Sequence, residues 1–381
     1  MRYFTFIIKY PAFIVLSVFL LCGSALADKM KVAFINPTYP NEPFWSLVTD
    51  VMTAAANQLD IELHVLYSDR NRFKSLELVK ALSRANSKPD YLIFHFQAQM
   101  GAEMLSVAEQ AGIYSMVINT DIPEADKKAI GQPRGKFKNW LGHIVPKDFQ
   151  AGELLAEALI EQAIRHKQFA KDGRIHAIAL TGTGDNTASS ERDRGLKHHV
   201  KDRENVLLHQ IVNAGWDKQK ARDITKVLMT RYPETRVIWS ASDMMAMGAI
   251  DALDELGYTL GKDVYVGGID GILLGLEAIK SGKLSATISG HFIEGAWALL
   301  LLYEHFHGND LLADKASLLR SDMSVINADN VQAFMSKVQQ AYFDVIGYAA
   351  FTSQHQSIPA HGPLTFPKVL MSEFQIDSPT Q

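Results

Sequence analysis

From Lys31 onward, short apolar runs alternate with longer stretches whose apolar residues recur at helical spacing. The runs KVAFIN, IELHVLY, YLIFHF and YSMVIN, then RIHAIAL, NVLLHQIV, RVIWSAS, VYVGGI and LSATIS, read as strands. Between them the pattern predicts helices over Pro43–Leu59, Lys74–Ala85, Ala102–Ala111 and Asp148–His166. Further helices are predicted over Ser189–Val200, Asp217–Tyr232, Asp243–Leu256, Ile272–Ser281 and Glu294–His305. Strand alternating with helix at this spacing implies an α/β fold, with parallel sheets joined by right-handed crossovers. These strands fit one large doubly wound sheet or two smaller ones.

Two sheets suit the chain better. The stretch Ile122–Leu141 is polar, with Pro123, Gly131, Pro133 and Gly135, and reads as a surface excursion. His143–Val145 then opens a new strand–helix series. After LSATIS comes another long helix, and the first lobe is otherwise short of material, so a return to it is expected near Gly290. The expected organisation is a first lobe of residues 28–143 plus 291–325, a second lobe of 144–290, and a hinge of three crossings. Residues 326–381 form an extension, partly helical and then loosely ordered from Tyr348, where Ser, Gln, His and Pro are frequent.

The first 27 residues differ in kind. Arg2 and Lys9 precede the apolar run Ala12–Leu21, and Ala25-Leu26-Ala27 supplies the small-x-small pattern of a cleavage site. A cleaved secretory signal peptide over residues 1–27 is expected, with the mature chain in the periplasm. The chain's single cysteine, Cys22, lies inside that segment, after a bulky Leu21 where a lipoprotein signal needs a small residue. The remaining chain can hold no disulfide and no thiolate metal site. Without Arg2 and Lys9 the net charge falls from −4 to −6, which disfavours a nucleic-acid partner, since a phosphate backbone selects basic surfaces.

Open parallel sheets bind ligands beyond the carboxyl ends of their strands. Those ends carry polar and aromatic residues here. Thr38 and NEPFW follow KVAFIN, His95 follows YLIF, and Asn119 and Asp121 follow MVI. TGTGDNTASSERDRG, with Arg192, follows RIHAIAL; Trp216 follows NVLLHQIV; Ser242 and Asp243 follow RVIWSAS; Asp270 closes VYVGGI. Pro43 suits the first turn of a helix, which sets Phe44 and Trp45 at the same edge. Aromatic faces suit the C–H faces of a sugar ring, while carboxylates, amides and an arginine suit its hydroxyls. Plainer readings stand beside these. Trp45 fits packing, Asp243 a helix cap, Arg192 a solvated charged face and Asp270 a glycine-flanked turn.

Other chemistries lack their motifs. Gly182-Thr183-Gly184 has no third glycine and no GK[ST] follows, which argues against a phosphate cradle or dinucleotide cofactor. His198-His199 and His305/His307 do not share a helix face, so no metal site is expected. No serine or cysteine sits in a nucleophile elbow and no catalytic dyad stands out, so the protein reads as a non-enzyme without cofactor.

NEPFW, VINTD, AGELLAEAL, TASSERDRGL, ASDMMAMGAIDAL, GGIDG and KLSATIS occur in an order that resembles the type I periplasmic binding proteins of the ribose/galactose kind, from Lys31 to Ala328. The resemblance implies two Rossmann-like lobes on a three-segment hinge, closing on a ligand. By position it implies cleft contacts from Thr38, Phe44, Trp45, His95, Asp121, Arg192, Trp216, Ser242 and Asp270. SKPDYLIF and VINTD are also similar to the furanosyl-borate autoinducer receptors, for which Trp45 and Asn119 are the matching contacts. The chain departs from the family pattern at Ile122 (often Arg), Ser242 (commonly Asn) and Gly290 before His291 (often Gln). The function implied is a monomeric solute-binding protein that takes a small polyhydroxylated, sugar-like ligand to an inner-membrane ABC permease. The alternative is a receptor reporting to a sensor kinase or cyclic-dinucleotide enzyme.

Overall fold

The computed structural model describes residues 29–313, 317–354, 364, 366, 368 and 369; the expected signal peptide lies outside them. The apolar runs become strands separated by helices that cover both faces of each sheet. The chain begins with β1 (Lys31–Asn36), α1 (Pro43–Gln58), β2 (Glu62–Tyr67) and α2 (Arg72–Arg84). Then follow β3 (Tyr91–His95), α3 (Gly101–Ala111), β4 (Tyr114–Ile118), α4 (Glu124–Ile130) and β5 (Trp140–Pro146). The second series is α5 (Asp148–Arg165), β6 (Ile175–Thr181), α6 (Thr187–Val200), β7 (Val206–Asn213) and α7 (Lys218–Arg231). It continues through β8 (Thr235–Ser240), α8 (Asp243–Leu256), β9 (Tyr265–Asp270), α9 (Leu273–Lys280) and β10 (Ala286–Ser289). Last come α10 (Glu294–Phe306), β11 (Leu318–Ser321), β12 (Ser324–Asn327), α11 (Val331–Met335) and α12 (Gln340–Phe343).

The strands form two six-stranded sheets, ordered β11-β5-β4-β3-β1-β2 and β12-β10-β9-β8-β6-β7. The second repeats the order of the first, and each reverses direction of winding beside its first strand, where an open α/β sheet leaves a crevice. The central strands are buried throughout, because helices pack on both faces. The chain passes between lobes at Lys147, at Gly290 and at Asp322–Met323, so the three crossings lie side by side.

The sheets shift the expected borders. The His143–Val145 run does not open the second lobe: it is the end of β5, hydrogen-bonded to β4 and to β11, so the first lobe extends to Pro146. The polar stretch before it holds α4 and the buried Trp140 at the start of β5. Ser324 and Val325, expected in the first lobe, belong to β12, which runs antiparallel to β10 in the second. Among the described residues of the tail, Tyr348 and Phe366 are fully buried, while most of the stretch expected to be loosely ordered lies outside the described residues.

Candidate functional site

A cavity of about 740 Å³ lies between the lobes at the carboxyl ends of both sheets. On the first-lobe side, α1 starts with Pro43, and the carboxylate of Glu42 caps it by accepting a hydrogen bond from the Trp45 backbone N–H at 2.9 Å. The cap fixes the direction in which Phe44 and Trp45 leave the helix. Trp45 meets the edges of Phe44 and His95 at ring separations of 5.4 and 5.5 Å, and Phe44 stacks on His291 at 4.5 Å. The packing and cleft-wall readings of Trp45 therefore both hold: it is nearly buried, and it lines the cavity. Thr38 also lines it, although its hydroxyl donates to Asn36 Oδ1 at 2.9 Å. Asn119 reaches the cavity from a left-handed backbone conformation, φ 72°.

On the second-lobe side, Arg192 is buried rather than solvated. Its Nε donates to Asp148 at 2.8 Å and its Nη1 to the Ala241 carbonyl at 2.7 Å, while Asp270 lies 3.6 Å away. Its Nη2 sits 3.3 Å from His291 Nε2, which must accept there, leaving the ring proton on Nδ1. Trp216 packs closely against Gly182, with the Arg192 guanidinium over its ring at 5.9 Å and its own φ at 62°. Asp270 is held at φ 144° and accepts weakly from the Asp243 N–H. Ser242, not Asp243, caps α8, accepting from the Met245 N–H at 3.3 Å. Asp243 is instead a buried brace that accepts from Gly271 N–H, Ile272 N–H and the Thr287 hydroxyl, because it sits one residue inside the helix, against the following loop.

Burial dominates the acid–base behaviour of this floor. It raises the carboxyl of Asp270 well above the usual range against the opposing pull of Arg192, and it raises Asp148 and Glu42 as well. Asp243 is pushed up to about 6. His95 is lowered to about 4, and His291 is held neutral by burial and then by the adjacent Arg192. Aromatic faces, neutral imidazoles, an amide and paired carboxylates together suit a ligand with apolar ring faces and many hydroxyls.

Nine of the ten residues expected at the site line this one cavity: Thr38, Phe44, Trp45, His95, Asn119, Arg192, Trp216, Ser242 and Asp270. Asp121 does not. Its carboxylate faces a second crevice, where Arg320 at 3.1 Å and Lys127 at 3.8 Å draw it away from the cleft. The sequence reading missed Glu42, Arg70, Arg72, Phe73 and His291 as lining residues. Arg70 and Arg72 stand just past the carboxyl end of β2, so the same strand-end rule would have found them. Both also touch the second lobe. Arg70 donates to the Trp216 carbonyl at 3.4 Å, and Arg72 pairs with Asp185 at 3.3 Å. Among the described residues, no group of three His, Cys, Asp or Glu side chains is placed to hold a metal ion.

Comparison with known proteins agrees with this architecture. The family described as the periplasmic binding protein domain matches residues 32–310. The ribose import binding protein of Salmonella typhimurium is 28% identical over 262 residues, spanning 68% of this chain and 79% of that protein. The D-allose-binding periplasmic protein of Escherichia coli is 26% identical over 278 residues, spanning 72% and 84%. Among solved structures, a periplasmic sugar-binding protein from Pseudomonas fluorescens superposes with a TM-score of 0.79 at 25% identity, covering 89% of this chain and 99% of that one. With matching repeats of one doubly wound sheet and a family match over most of its length, the chain belongs to the periplasmic binding protein family.

Proposed function

We propose that this protein is a periplasmic solute-binding protein that closes over one small, polyhydroxylated, sugar-like ligand and hands it to an inner-membrane ABC permease. The observation that carries the reading is the composition of the interlobe cavity, where the aromatic side chains of Phe44, Trp45 and Trp216 line the wall beside the buried Arg192–Asp270 pair. A ligand touching both walls favours the closed arrangement over the open one and so shifts the population toward it. The names of the relatives, which are import proteins for ribose and binding proteins for allose, support delivery to a permease over signalling to a sensor.

A thermal-shift screen of pentoses, hexoses and polyols against the purified protein tests this reading. At least one sugar is expected to raise the unfolding temperature in a concentration-dependent way. Asp270→Asn is expected to remove that rise while leaving the circular-dichroism spectrum unchanged. A rise of equal size in the variant counts against the assigned site. No response to any member of the panel counts against the ligand class.

A further inference from the structure

The interlobe cavity is larger than one sugar ring needs. Taking each carbon–hydroxyl unit as one water volume, ~30 Å³, a hexose with six such units fills about 180 Å³. The cavity offers about 740 Å³. That space does not come from lobes held apart, because they touch on either side of it. Past β2, Arg70 donates to the Trp216 carbonyl at 3.4 Å and Arg72 pairs with Asp185 at 3.3 Å. Past β4, the Thr187 hydroxyl donates to the Asp121 carbonyl at 3.2 Å. The ends of β1 and β3, which lead to Thr38 and His95, lie between these contacts.

The lining falls into two zones. The inner zone is buried and holds Trp45, Arg192, Ser242 and Asp270. The outer zone is built on the starts of α2 and α6, and it repeats the same chemistry in the open. Phe73 lines it; Arg72 covers one face of its ring, and the side chain is still 57% exposed. Asn71 and Asn186 each use Oδ1 to cap their own helix, which leaves both Nδ2 groups as donors without a partner among the described residues. Gln97, just past β3, adds a third amide, whose Oε1 has no hydrogen-bond partner. An aromatic side chain beside amide donors and acceptors suits a second polyhydroxylated ring.

We propose that the cleft takes a ligand of at least two linked sugar rings, one ring in the inner zone and the next against Phe73. The proposal rests on the sugar reading given above and fixes the size of the ligand within it. Two rings fill about 360 Å³, close to half the cavity, and leave the rest for water and for closure of the lobes. A single ring in the inner zone leaves about three quarters of the volume to water and the outer amides without a partner.

Isothermal titration of the purified protein with paired probes tests it. The probes are common pentoses and hexoses, each set against disaccharides built from the same sugars. At least one disaccharide is expected to bind about tenfold more tightly, or better, than either of its component sugars. Phe73→Ala, at an exposed position outside the core, is expected to weaken that disaccharide about three- to tenfold and to weaken the component sugars less. Single sugars that bind as tightly as every disaccharide overturn the inference and leave the sugar reading standing. Equal weakening of both classes by Phe73→Ala does the same. Binding of neither class overturns the sugar reading, and the inference with it.

Discussion

Replacing Arg192 with Met removes the guanidinium from the cleft floor while keeping much of its length. Asp148 and Asp270 then remain buried without it, and the His291 acceptor loses its donor. Arg192 and Asp148 have side chains only 4% and 3% exposed, so solvent cannot replace the lost partner. Breaking one side of such a pair costs about 3–5 kcal/mol. For a lobe of this size each kcal/mol lowers the melting temperature by about 2–4 °C, giving an expected drop of about 6–20 °C near neutral pH. The pH dependence supplies the sharper check. Burial raises both carboxyls in the folded state, so the folded chain holds their protons more tightly than the unfolded one. Stability then falls as pH rises from the ordinary carboxylate range through the raised folded-state value. Arg192 opposes that rise at both groups, so its removal raises them further. The loss in the variant should be larger at about pH 8 than at about pH 5, because the folded carboxyls hold their protons more tightly than the unfolded ones. Thermal melts followed by circular dichroism at the two pH values decide it. An equal loss at both, or a drop under about 3 °C at the higher pH, would refute a buried-charge role for Arg192.

Two further substitutions probe neighbouring groups. Glu294, 1% exposed and raised well above the usual carboxylate range by burial, contacts the Ser321 hydroxyl through Oε1. Ionisation lowers stability as pH rises from the ordinary carboxylate range toward its raised folded value, so Glu294→Gln should raise the melting temperature more at about pH 8 than at about pH 5; a lower melting temperature at the higher pH sinks the assignment. Ser242→Ala should cost about 0.5–2 kcal/mol in urea melts and Ser242→Gly only a few tenths, because glycine tolerates the cap position; equal losses would mean the hydroxyl does not cap α8.

Much of this architecture was legible because period and order are carried by the chain itself. The alternation that predicted α1 over Pro43–Leu59 and α8 over Asp243–Leu256 reproduces the observed helices to within a residue at each end. What escaped was set by pairing rather than by pattern. LLRS of β11 is a four-residue run containing Arg320, and nothing local distinguishes it from a loop until β5 lies beside it. The His143–Val145 run is apolar and short, so it fits the end of one lobe as well as the start of the next; only its ladder to β4 decides. Asp121 illustrates a different limit. Its place at a strand end was read correctly, but the direction of its side chain depends on Arg320, almost two hundred residues later. Arg192 shows the opposite. It was expected at the cleft and lines it, and the plainer alternative of a solvated charged face fits its neighbour Arg194, which stays exposed, rather than Arg192 itself.

The inward turn of Arg192 follows from two glycines. A Cβ on Gly152 of α5 would lie 2.0 Å from the Arg192 carbonyl oxygen, and one on Gly195 of α6 would lie 2.0 Å from that of Phe149. The two helices therefore touch backbone to backbone, an approach that any larger residue at either position would prevent. That contact sets Asp148, in the first turn of α5, beside Arg192. Because α5 begins immediately after the first crossing, the pair stands at the hinge as well as at the cleft. His291 arrives from the second crossing and completes the contact with Arg192. Glu294, one turn further on, meets Ser321 at the edge of the third. Residues flanking all three crossings thus join or adjoin the cluster that faces the cavity. Any ligand that bonds to Asp270 or reorients Arg192 acts on groups that must also rearrange when the lobes rotate. Binding and closure are coupled here by shared side chains, with no relay between separate sites.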